Sequence, residues 1–188
     1  MWRAGKIDGE AMEDPVPGCL TGCAMNTFNA LPAERLTADL LAVCAVPGWA
    51  ATVAAGRPYP SRAALLAAAD RATRDWTWPD VLRGLSAHPR IGERAAGDSK
   101  EAAWSRREQS TAASTADDAT RAELIEANRA YEDRFGHVFL IFASGRSQAE
   151  ILAAARERLT NDEATEQAVV TGELRKIALL RLERLAGA

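Results

Sequence analysis

Alanine-rich stretches with leucine and valine at helical spacing run through most of this chain, and β-branched residues are sparse between them. Alanine loses least on entering a helix, whereas strands draw on Val, Ile, Thr and aromatic residues. The pattern predicts an all-α fold. A length of 188 residues fits one domain with a substantial core. The composition, 47% hydrophobic and 26% charged, is that of an ordinary soluble globular protein.

Local punctuation divides the chain. Residues 1–25 carry Gly, Pro and acidic residues without helical periodicity and read as a flexible N-terminal extension, leaving 26–188 as the helical domain. A helix starting near Pro32 carries Leu36, Leu40 and Val43 on one face and stops at Pro47-Gly48. A short helix from Trp49 ends at Gly56. Ser61 caps a helix over 62–73 with Leu65, Leu66 and Ala69 on its apolar face. Thr77-x-x-Asp80 opens another, which carries Val81, Leu82 and Leu85.

After a charged connector between Gly92 and Gly97, Asp98 or Ser99 caps a helix bearing Trp104 and Glu108, which fades over 110–116. Asp117-Asp118 starts a long helix whose Leu124, Asn128, Tyr131 and Phe135 form one stripe, closed by Gly136. Asn128 in that stripe is either a buried amide satisfied by backbone or a group that orients a site residue. Ser147-x-x-Glu150 is a capping box for 148–159, and the last helix, 162–185, buries Val169, Val170, Leu174, Ile177 and Leu182. One segment departs from the pattern: 138–142, VFLIF, is too short for a buried helix and rich in strand formers. It reads as extended core backbone.

The chemistry concentrates in 86–109. His88, one of two histidines in the chain, stands directly before Pro89, which biases it out of helical geometry and places it at the end of an element. Glu108 lies four residues after Trp104, on the same helical face. A histidine at a break, a carboxylate on a nearby helix and several arginines suit acid/base chemistry on an anionic substrate.

Three sequence motifs narrow this reading. His88-Pro89-Arg90-Ile91-Gly92, Trp104-Ser105-Arg106-Arg107-Glu108-Gln109, and Phe135 and Phe139 followed by Gly145-Arg146-Ser147 occur in that order. Together with Phe28-Asn29, Leu31-Pro32 and Arg57-Pro58-Tyr59, they make the chain resemble the family of 2-oxo-4-hydroxy-4-carboxy-5-ureidoimidazoline (OHCU) decarboxylases of uric acid degradation. The resemblance runs from about residue 28 to 185. It implies a single helical domain, a small-molecule substrate (OHCU), S-allantoin as product and a homodimer. It implies catalytic roles for His88, Glu108 and Arg146. A pocket lined by Pro89, by Ser105, Arg106, Arg107, Glu108 and Gln109, and by Leu140, Ile141, Phe142, Ala143 and Ser144 is also implied. Arg106 and Arg107 are adjacent, so at most one faces the pocket. Trp104 reads as a packed wall. His137 departs from the family's usual aromatic at that position and reads as a partly buried substitute with no catalytic role.

No cofactor motif is present, and the substrate's own C=N and C=O can absorb the electrons left by CO₂. Net charge near −3 offers no field for nucleic acid, and no apolar run approaches membrane-spanning length. Cys19, Cys23 and Cys44 lack metal-site spacing and read as free thiols in a reducing cytoplasm, with no metal expected. Two other readings use the same residues: a non-catalytic helical interaction module, and a cofactor-free ureide hydrolase.

Overall fold

The computed structural model describes residues 19–91, 103–104 and 118–187. Among them the regular structure is helical: α1 (Cys19–Ala30), α2 (Ala33–Val43), α3 (Pro47–Ala55), α4 (Arg62–Ala72) with a 3₁₀ turn (Thr73–Asp75), α5 (Trp78–Leu85), α6 (Asp118–Phe135), α7 (Gln148–Arg158) and α8 (Glu163–Ala186). No helix of the described residues is long and apolar enough to cross a membrane. Several starts are set by the local chemistry that the sequence displays. Ser61 accepts from the Ala64 N–H, Asp162 from Thr165, and Ser147 and Glu150 close a reciprocal capping box.

The expected extension differs at its end. Backbone from Cys19 onward is helical, and Met25 and Phe28, three apart on one face, are buried in the core. The Asn29–Pro32 region is therefore the joint between two helices, not the beginning of the first. Residues 1–18 lie outside the described residues. Two smaller corrections concern burial: Val169 is half-buried, and Leu82 is exposed on α5.

The core has two parts. The first gathers α1 to α5 around α8, which packs against α1, α2, α4 and α5; the second lies between α6 and α7. Residues 138–143 form the seam. Val138, Leu140 and Phe142 pack on the first cluster, while Phe139, Ile141 and Ala143 belong to the second. Alternate side chains of extended backbone point to opposite faces, so an all-apolar run buried on both sides is best satisfied extended. That is the segment the sequence marked as the exception.

Candidate functional site

His88 sits one turn beyond α5, where its N–H still bonds to the Leu85 carbonyl at 2.8 Å before Pro89 ends the helical path. Its Nδ1 lies 3.0 Å from the Gly84 carbonyl. A carbonyl accepts only, so Nδ1 carries the proton and Nε2 is left with a free lone pair. That Nε2 is inaccessible to solvent and has no hydrogen-bond partner among the described residues. Burial and the nearby Arg181 guanidinium push the imidazole down to about 4, the Gly84 bond opposing them, so the ring is neutral near pH 7.

Contacts on both sides fix the turn after His88. Arg90 makes a two-pronged pair with Glu132 at 2.6 and 2.7 Å. Asn128, one turn earlier on α6, donates to the Ile91 carbonyl at 2.8 Å. The reading of Asn128 as a buried amide bonded to backbone holds for its Nδ2 alone, since Oδ1 has no partner among the described residues. That backbone belongs to the His88 turn. The arginine nearest the motif is engaged with a glutamate of α6, so its charge is spent on position.

The seam, which carries the implied pocket positions 140–143, is held from other elements. Arg158 of α7 donates to the Leu140 carbonyl at 2.8 Å while its guanidinium lies over the Phe139 ring. The same guanidinium is paired with Glu166, which also accepts from Tyr131 and Asn161. Glu173 of α8 accepts from the Phe142 N–H at 2.6 Å and from Lys176 at 2.6 Å. Within this run the Leu140 C=O and Phe142 N–H are therefore engaged by the protein itself. The Ala143 carbonyl is also engaged, by the Arg146 N–H at 3.1 Å, across a turn that Gly145 closes at φ +82°.

Arg146 itself is half-buried, and its guanidinium makes no hydrogen bond or ion pair among the described residues. It acts at longer range on Glu173 and Glu150. Pro89 is half-buried beside His88. Trp104 is helical, half-buried and packs on the first core cluster. Ser105, Arg106, Arg107, Glu108 and Gln109 lie outside the described residues. His137 stacks on Phe135 and meets Trp78 and Tyr131 edge-on, an aromatic substitute in an aromatic cluster.

Sequence reasoning missed Arg181. It is 1% exposed on α8, and its charge acts on both His88 and Cys44. The Cys44 thiol, buried beside it, is pushed up to about 12 and is inert as a nucleophile. Glu166, Glu173 and Arg181 share one buried stripe of α8, seven and eight residues apart. The available signal was their spacing: each falls in register with Val170, Leu174, Ile177 and Leu182, where a solvated charge does not belong.

Comparison with known proteins decides the family. The profile of OHCU decarboxylase matches residues 29–183. The chain belongs to the OHCU decarboxylase family. It is 33% identical over 137 residues to the 2-oxo-4-hydroxy-4-carboxy-5-ureidoimidazoline decarboxylase of Haloferax volcanii, covering 71% of this chain and 79% of that one. It is 35% identical over 145 residues to the uric acid degradation bifunctional protein TTL of Arabidopsis thaliana, covering 76% of this chain and 44% of that longer protein. The fold matches a crystal structure of OHCU decarboxylase in the presence of (S)-allantoin, with a TM-score of 0.70 and 29% identity over 84% of this chain and all of the other.

Proposed function

We propose that this protein decarboxylates OHCU to S-allantoin, with the neutral His88 moving the proton. The observation that carries the reading is the lone pair of His88 Nε2: buried, without a partner among the described residues, and set by the Gly84 bond on the opposite nitrogen. A neutral imidazole with one free nitrogen can take the hydroxyl proton as CO₂ leaves and return a proton to the ureido-bearing carbon. The bond from the hydroxyl-bearing carbon to the carboxylate breaks, and its electron pair passes into the neighbouring C=N. Net uptake of one proton gives allantoin, so no external electron sink is required. Arg146 is available to the carboxylate or carbonyl oxygens of the anionic substrate. Glu108 and Gln109 complete the set by family resemblance, holding the ring and ureido N–H groups.

The proposal extends to a homodimer, as the family resemblance implies, placed in the reducing cytoplasm that the free-thiol reading of the cysteines suggests. Its test is to add the protein to freshly generated OHCU and follow CO₂ release and the circular dichroism of the product. Accelerated CO₂ release with a single allantoin enantiomer is expected. Racemic allantoin formed at the enzyme's rate would contradict protonation within the pocket, and loss of substrate without CO₂ would point to hydrolysis.

A further inference from the structure

The residues that hold the seam in place lie on elements other than the seam itself. In extended backbone the N–H and C=O of one residue point to one edge, and those of the next residue to the other. Leu140 and Phe142 therefore share an edge, and both of their engaged groups are met there by buried side chains: Arg158 at the Leu140 carbonyl, Glu173 at the Phe142 N–H. Ile141, between them, faces the opposite edge, and neither its N–H nor its C=O has a partner among the described residues. A donor and an acceptor side by side on one residue of extended backbone match the adjacent N–H and C=O of a cyclic amide or ureide.

Of the two anchors, Glu173 is the one that a proposed site residue, Arg146, acts on. It is 7% exposed, and it meets the seam with one oxygen and Lys176 with the other. Arg158, by contrast, is committed to the Glu166 cluster on the far side.

We propose that Glu173 is a positioning residue for the reaction: by holding the Phe142 N–H it fixes the seam so that the Ile141 peptide stays turned to the substrate's ureide or amide edge. The inference rests on the OHCU reading above and adds a residue that acts without touching the substrate. Its consequence is orientation. A seam free to shift would hold the ring less firmly and let it turn before protonation, since displacements near 1 Å cost on the order of 100-fold in a positioned reaction.

Three variants test it. Glu173→Leu removes the acceptor at similar size, Glu173→Gln keeps an acceptor oxygen without the charge, and Glu173→Asp keeps the charge but withdraws it by about 1.5 Å, one C–C bond. Steady-state KM and kcat and the enantiomeric excess of allantoin are measured on folded protein, with foldedness checked by circular dichroism. Glu173→Leu is expected to raise KM by about 10-fold or more and to lower enantiomeric excess, with a smaller change in kcat. Glu173→Gln should restore most of both. A purely structural role would change melting temperature while leaving KM and handedness per folded molecule as in wild type. That result in Glu173→Leu, or equal damage in Glu173→Gln and Glu173→Leu, would overturn the inference. If Glu173→Leu does not fold, Glu173→Asp carries the same expectation against Glu173→Gln, and wild-type KM and handedness in Glu173→Asp overturn it. Absence of decarboxylation by the wild-type protein would sink the functional reading and this inference together, whereas an active wild type with indifferent variants sinks the inference alone.

Discussion

The Nδ1 proton of His88 is committed to the Gly84 carbonyl, and both burial and Arg181 oppose a second proton on the ring. That arrangement ties the site to stability. The unfolded chain protonates this histidine near pH 6.5 and the folded chain near about 4, so between those values the unfolded state binds more protons and stability rises with pH. The contribution is fully present above about pH 6.5 and is lost as pH falls toward about 4. Its size is at most about 3.5 kcal/mol, for about 2.5 pH units at roughly 1.4 kcal/mol each. In His88→Asn this titration is absent. Urea unfolding at pH 7 and pH 4 should show the variant gaining on wild type at the lower pH by up to about 3 kcal/mol. Parallel losses in the two proteins would mean that His88 is not buried as a neutral group.

Among the elements, the seam and α8 carry the account. The seam's Leu140 anchor, Arg158, belongs to a buried cluster in which burial opposes ionisation of Glu166 but Arg158, Tyr131 and Asn161 outweigh it. Breaking such a pair leaves a buried charge without its partner, at about 3–5 kcal/mol. Arg158→Met should therefore lose about that much in chemical denaturation, and Arg158→Met combined with Glu166→Gln should lose less than the single variant. Additive losses would show that the two side chains do not act as a unit. These elements were legible to different degrees. Ser61, Asp162 and the Ser147–Glu150 box mark helix starts through contacts three residues away, and the seam shows as the one strand-like run in a helical chain. Glu166, Glu173 and Arg181 were not legible as function, because their partners lie on other elements. A charge in a helix reads as solvated until the element packed against it is known. The helical start at Cys19 was hidden for a related reason: Met25 and Phe28 show one apolar face over too few residues to establish a period.

For the molecule as a whole, one long helix meets both the element that carries His88 and the seam. α8 packs against α5, which delivers His88; its Glu173 holds the seam, and its Arg181 lies near the imidazole. His88 itself was legible as a break residue, and the motif order placed the chain in its family. What the sequence could not display was that one stripe of the last helix underlies all of it. Sedimentation at micromolar concentration should show a dimer, and a monomer alone would remove that part of the proposal. The most direct test of the account is turnover of freshly generated OHCU by wild type and by His88→Asn, measured as CO₂ release on protein shown to be folded at pH 7. The account predicts a loss of at least about 100-fold in kcat for the variant, the scale of general acid/base assistance. Near wild-type turnover by folded His88→Asn would contradict it.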